Sequence, residues 1–455
     1  MAARAAELLT ADRVIHSAES AVPASVVIHT VTGPEGTQLA RWLHQSSPFL
    51  DALRPLIGSF PQPVVRVSGP SALLAEAARS LPEGVAQPEA LAVRLRRAGA
   101  SISWGAPEPV PDTASFLRLC HARGASSVEL VRADPSLLTE MQLGAFFNAY
   151  WRRRVLRRAA CRFGASGLVL RAPSAFLGLA SDLAFWLGVR SAATSTEWER
   201  LARSSYLVFY YHGVGKSRPG QEHLHVRARR FERQLRLLAL LGYRALSPEE
   251  LFSFHANPAG TLPRRRFVVG ADDGFRSAAA ALRRHGDLRP HLFVNTSEIG
   301  GSAWWAFDEP LATWEELDAF RAAGGIIASH CRSHPRLPEL DTDLLGHELT
   351  DSLRELRERL PDVPPLLAYP HGLHDERVRA AAVAAGYLAA FTTKPGRNGA
   401  GTDPYCLRRI GLKDWDGPAA LLWVTMTGEL LPWIWERSRR CIVGVRPARN
   451  KTRRT

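Results

Sequence analysis

Phe267–Gly274, FVVGADDG, and Gly325–Pro335, GIIASHCRSHP, decide the reading of this chain. Each opens as a short apolar run, the composition of a buried strand, and each turns polar where such a strand would end. After the first run come the adjacent carboxylates Asp272 and Asp273, then Gly274, which permits a sharp turn. After the second come His330 and His334. An HxxxH pair sets two imidazoles four residues apart, suited to converge on one metal. A carboxylate from a neighbouring strand completes a facial set of three protein ligands with positions left open. A divalent cation held this way brings the pKa of its water down toward roughly 7. The second carboxylate is then placed to take the proton. Taken singly, a DDG is as readily a turn, and HxxxH a pair of surface or capping histidines. Their order and shared strand-end position join them.

Outward from these two stretches the second half repeats one pattern. Strands are expected at Leu207–Val214, Phe267–Ala271, His291–Asn295, Gly325–Ser329, Leu366–Tyr369 and Ala389–Thr392. Helices are expected between them at Arg230–Leu241, Trp314–Ala323, Asp343–Leu360 and Asp375–Ala385. Strand and helix in alternation imply a parallel sheet, and a barrel of that kind places its chemistry at the C-terminal strand ends.

Residues 1–200 read as a separate α/β domain. Strands are expected at Ser25–Val31, Pro63–Val67 and Ser127–Val131, and a helix at Ser71–Ser80. Gly33 and Gly36 suggest a plain turn, since GPEGT lacks the Walker lysine and a dinucleotide fingerprint. Phe146–Phe163 is a strongly basic helical stretch with Arg152, Arg153, Arg154, Arg157 and Arg158, followed by the apolar Phe176–Val189 and the mixed-charge Glu197–Arg203. A basic helix beside an apolar one fits either a solvated arginine face over a buried helix or peripheral contact with an anionic membrane through Arg152–Arg158. Residues 431–455 form a basic tail.

At 455 residues and 46% hydrophobic the chain can build two cores. Its 58 basic and 44 acidic residues leave a net charge of +14, which favours anionic partners without choosing among them, and no specific nucleic-acid motif is found. Five scattered cysteines without a CxxC pair suggest neither a disulfide framework nor a cysteine zinc site. The N-terminal residues lack the apolar core of a secretory signal, and the longest apolar run, Ala175–Val189, falls short of the roughly 20 residues that span a bilayer. The expected location is therefore cytoplasmic or peripheral on the inner membrane face.

The second half resembles the NodB-like polysaccharide deacetylases, carbohydrate esterase family 4, over roughly residues 205–430. The resemblance rests on YYHGVG (Tyr210–Gly215), GADDG (Gly270–Gly274), SHCRSHP (Ser329–Pro335), LAYPHG (Leu367–Gly372), GYLAAFTT (Gly386–Thr393) and LRRIGL (Leu407–Leu412), and on the whole of Thr313–Asp341. It implies an irregular (β/α) barrel of about seven strands and metal-dependent removal of N-acetyl groups from amino sugars. It implies that Asp272 is the general base and that Asp273, His330 and His334 hold the metal, usually zinc, with cobalt, nickel or iron able to substitute. The His371 amide falls in the oxyanion motif, and His212 matches the proton donor of the branch that acts on poly-N-acetylglucosamine, with His371 and His374 as lesser candidates. Tyr369, Pro370 and Trp314 are the expected substrate contacts.

Three departures accompany the match. Gly270-Ala271 replaces a Thr-Phe pair, Cys331 follows the first ligand histidine where Ser or Thr is usual, and Ala368 stands where an arginine often orients the base, leaving Arg332 or Arg409 to substitute. The substrate is expected to be an N-acetylated glycan or a lipid- or nucleotide-linked amino sugar. A metal-dependent hydrolase of a non-sugar amide and a non-catalytic carbohydrate-binding protein are the alternatives.

Overall fold

The structure, a computed structural model, describes residues 112–139, 141–173, 176–216, 223–306, 308–360 and 362–430, and ahead of these only short backbone strands within residues 25–109. The chain divides into two compact units, Met1–Ala202 and Arg203–Thr455. The expected helix at 71–80, the 33–37 turn and the 431–455 tail lie outside the described residues.

In the first unit, β1 (Ser25–His29) pairs antiparallel with β2 (Arg66–Ser68) and parallel with β3 (Ser101–Trp104). Four helices of eight residues or more follow among the described residues: α1 (Thr113–Ala133), α2 (Trp151–Phe163), α3 (Leu177–Ala192) and α4 (Ser195–Ala202). The strand expected at Ser127–Val131 is corrected, because those residues form the last turns of α1. Asp112 starts that helix by accepting the Ser115 N–H at 2.6 Å. Its buried Phe116, Leu117, Cys120, Gly124, Ser127 and Val128 recur at helical spacing and face α3. Crossing is close: a Cβ on Gly124 would sit 2.0 Å from the Phe185 carbonyl oxygen, and one on Gly188 1.9 Å from that of His121. The expected solvated arginine face is also corrected in part, since α2 buries Arg154 and Arg157.

The second unit is a curled parallel sheet covered by helices. Seven strands run parallel in the order β9, β8, β7, β6, β5, β4, β10, where β4 is Ser205–Tyr211, β5 Arg266–Ala271, β6 His291–Val294, β7 Ile326–Ser329, β8 Leu366–Ala368, β9 Ala389–Phe391 and β10 Ile410–Gly411. Leu407 bridges to Phe391 while Ile410 pairs with Phe209, so Leu407–Gly411 touches both edges and curls the sheet back on itself. Helices α5 (Ala228–Leu240), α6 (Trp314–Ala322), α7 (Thr342–Arg359) and α8 (Glu376–Ala384) lie within a residue or two of their expected bounds. Capping fixes three of these starts: Thr313 and Glu316 close a capping box on α6, Asp341 caps α7, and Asp375 caps α8. Every second residue of the strands feeds one core from a single face of the sheet, from Leu207 and Phe209 through Val269 and Ile327 to Leu367 and Ala390. The expected irregular (β/α) barrel of about seven strands is the observed architecture.

Candidate active site

The polar residues gather at the C-terminal ends of the parallel strands, where the chain leaves the sheet and side chains are free of ladder hydrogen bonds. Asp272 and Asp273 follow β5, His330 follows β7, Tyr369 follows β8 and His212 follows β4. Asp273, His330 and His334 are all buried, and their ligand atoms lie within 4.8 Å of one another. Asp273 Oδ1 stands 3.4 Å from His330 Nε2 and 3.3 Å from His334 Nε2.

These residues fit a divalent cation. Two donors each about 2.1 Å from one ion lie about 3.0–3.4 Å apart at ordinary coordination angles. Asp273 Oδ1 is buried without a hydrogen bond, a costly state for a carboxylate oxygen in a protein interior. The second ring nitrogen of His330, Nδ1, sits 2.6 Å from the Ala368 carbonyl, which fixes the tautomer and aims Nε2 at Asp273. Ala368, at the position where an arginine is expected from the resemblance, thus contributes through its main chain. Burial pushes the Asp273 carboxyl upward, and the facing His330 and His334 more than reverse this, holding it well below the ordinary range.

The base is held from another direction. Arg409, 1% exposed, grips both oxygens of Asp272, Nη1 to Oδ1 at 2.6 Å and Nη2 to Oδ2 at 2.9 Å. Its Nε donates to the Thr392 carbonyl, and the guanidinium lies 4.3 Å over the Tyr210 ring. Burial raises the Asp272 carboxyl, and Arg409 with His330 brings it below the usual value. Of the two arginines considered from sequence, Arg332 is used elsewhere, on Glu355.

The loop from His330 to His334 is strained and braced. Cys331 and His334 take positive φ, as do Asp273 and His371, so four of the eight non-glycine residues with φ > 0 among the described residues belong to this cluster. Such conformations cost on the order of 1 kcal/mol or more each and persist where surroundings enforce them. Here Glu348 on α7 accepts the N–H groups of Arg332 and Ser333, and Asn295 donates to the His330 carbonyl at 2.5 Å. Cys331 packs in the core while its own N–H donates to Ser329 Oγ.

At the mouth, the exposed His371 sets its ring 4.5 Å from that of His334, edge to face. His212 is half-buried with Nδ1 unpaired among the described residues, and burial pushes it down to about 4 while Asp273 pulls the other way. His374 is occupied, stacked on Tyr369 with Nδ1 on the Gly372 carbonyl. Tyr369 is fully buried and donates its hydroxyl to the Tyr405 carbonyl, and Pro370 is buried beside it. Trp314 turns a face to Arg359, 5.5 Å away. The tryptophan that reaches the cluster is Trp305, stacked on His334 at 4.5 Å and 14°. The sequence points to Trp305 only together with Trp304 and Trp314, as aromatic faces suited to a pyranose ring, and no local spacing marks Asn295 or Glu348 as site residues.

Residues 267–390 match the family model described as polysaccharide deacetylase. The chain is similar to the Streptococcus pyogenes deacetylase PplD solved with acetate, at 22% identity over 49% of this chain and 98% of that one, TM-score 0.43. It is similar to IcaB from Ammonifex degensii at 21% identity, covering 49% and 97%, TM-score 0.43. A search of curated proteins finds no match.

Proposed function

We propose that this chain, whose residues 267–390 match the polysaccharide deacetylase family model, is a hydrolase of carbon–nitrogen bonds other than peptide bonds that releases acetate from an N-acetylated amino sugar in a metal-dependent reaction. The observation that carries this reading is one buried cluster in which Asp273, His330 and His334 converge and Asp272 beside them is gripped by Arg409. A divalent cation held by Asp273, His330 and His334, zinc in the first instance, supplies Lewis acidity that polarises the acetamide carbonyl and makes nearby water acidic.

The chain's own residues do the rest. Asp272, kept ionised by Arg409, accepts a proton from the attacking water. The His371 amide, on its left-handed turn, donates to the oxygen that gains charge as the carbonyl becomes tetrahedral. The C–N bond breaks, the amine leaves with a proton from His212, and acetate is the other product. Trp305 offers an aromatic surface for a pyranose ring beside His334. The substrate we favour is a glycan or a lipid- or nucleotide-linked amino sugar. The depressed His212 favours a second route for the last proton, directly from protonated Asp272.

The test is acetate release from N-acetylglucosamine oligomers by metal-reconstituted protein, with Asp272→Asn, His330→Ala and His212→Gln alongside. Asp272→Asn is expected to lose about 10²–10⁴-fold in kcat, and His330→Ala to lose both bound metal and activity. A loss of similar size in His212→Gln assigns it the donor role, and a loss of only a few-fold assigns that role to Asp272. Wild-type protein that binds metal and releases no acetate would overturn the amino-sugar substrate; protein that holds no metal would overturn the mechanism.

A further inference from the structure

Helix α2 has two faces built for contact. One carries Arg154, Arg157 and Ala160, all buried. Arg154 donates to the Ala149 carbonyl, and Arg157 donates to the Phe146 carbonyl and pairs with Asp182 on α3. These bonds dock the helix through its arginines, an inversion of the usual pattern. The opposite face then receives the apolar side chains. Arg152, Val155, Leu156, Ala159 and Phe163 recur at the three- and four-residue spacing that lines one side of a helix. Among them Val155 is 51% exposed, Leu156 43% and Phe163 79%.

The exposure is concentrated. Tyr150 just before the helix and Leu168 and Phe176 after it are also exposed, so residues 150–176 hold six of the thirteen exposed large hydrophobics among the described residues. Scattered exposed hydrophobes need no explanation, whereas an aligned group does. Charge marks the same segment. From residue 141 to 181 the sequence has seven arginines and neither Asp nor Glu. Asp182, the next acid, is taken by Arg157. Arg152, Arg153, Arg162 and Arg171 remain exposed.

We propose that this face of α2 lies on an anionic phospholipid surface, with Val155, Leu156 and Phe163 entering the acyl boundary and the exposed arginines meeting lipid phosphates. Charge complementarity selects the occupant. A second copy of the chain would bring arginines against arginines. A nucleic acid would answer the arginines and leave the aliphatic stripe wet. Only a bilayer surface offers anionic headgroups above an apolar layer in the order this helix presents them. Contact is peripheral on this face, since no described helix is long and apolar enough to cross a membrane.

The test is sedimentation of the full chain with vesicles of phosphatidylcholine alone or with about one third phosphatidylglycerol, for wild type, the triple variant Val155→Ser/Leu156→Ser/Phe163→Ser, and Arg152→Gln/Arg162→Gln. Wild type should bind the anionic vesicles at least about tenfold more tightly than the neutral ones, and more weakly at high salt. The triple variant should lose about tenfold or more with its circular dichroism and melting temperature unchanged, and the arginine variant should lose selectivity for the anionic lipid. Equal binding of wild type and triple variant, or no binding to anionic vesicles, overturns the proposal. So does tight binding of an oligonucleotide that the serine substitutions leave intact.

Discussion

Arg409 places a buried cation against a buried anion, an arrangement that gains little net stability because both ions have left water. Its value lies in geometry: two parallel N–H donors fix both oxygens of Asp272, and the stack on Tyr210 fixes the guanidinium. Removing one partner leaves the other charge buried alone. Arg409→Met is therefore expected to lower stability by about 3–5 kcal/mol and acetate release by about 100-fold, as a misplaced base does. Bound metal should stay near the wild-type level, since the contacts of Arg409 are with Asp272, Thr392 and aromatic rings rather than with Asp273, His330 or His334. Urea unfolding, an acetate assay and metal analysis on one preparation check all three. An unchanged rate at unchanged metal content would remove the positioning role. A simultaneous Asp272→Asn change should recover part of the lost stability, because it neutralises the stranded carboxylate.

At the scale of elements, β6 carries a titration remote from the catalytic mouth. His291 opens that strand, fully buried and stacked near Phe293, and neither ring nitrogen has a side-chain hydrogen bond among the described residues. Burial drives it down to about 4 from an ordinary 6.5, against the pull of the Val269 carbonyl. The unfolded chain therefore takes up the proton first as pH falls. The associated stability is whole above pH 6.5 and is lost between 6.5 and 4, on the order of 3 kcal/mol at most. Urea midpoints across that window should fall less steeply in His291→Leu than in wild type; parallel curves would show that the ring is already solvated. The same strands show what the sequence made legible. Short apolar runs ending in DDG or HxxxH announced β5 and β7 to within a residue, because a buried parallel strand and its exit loop are local patterns. SVELV looked like a strand through its alternation, yet the helical spacing from Phe116 to Val128 and the close approach at Gly124 place it in α1. The grip of Arg409 on Asp272, 137 residues away, and the stacking of Trp305 on His334 depend on how the sheet curls, and no spacing encodes them.

For the whole molecule, the two units differ in what a metal can do for them. The second holds Asp273, His330 and His334 on exits from two different strands, with a buried carboxylate oxygen that faces both histidines without a hydrogen bond and two positive-φ residues at the ligands themselves. A cation that binds these groups in the fold and not in the unfolded chain stabilises that unit by about 2.7 kcal/mol at one hundred times its dissociation constant. Among the described residues, the first unit holds no such cluster of histidine, cysteine and carboxylate ligands. Its helices are held by apolar packing around Phe116, Leu117 and Ala184 and by the Arg157–Asp182 pair. Hydrogen exchange on the full chain should therefore respond unevenly. Adding zinc to chelator-treated protein should slow exchange in peptides covering β5, β7 and the His330–His334 loop. Peptides from α1 and α3 should keep their rates. His330→Ala should abolish the difference without altering the metal-free pattern of the first unit, because it removes a ligand that only the second unit uses. Uniform protection of both units would mean that the cation acts through something other than this cluster. No protection at micromolar zinc would mean that the three side chains, though converged, do not hold a metal.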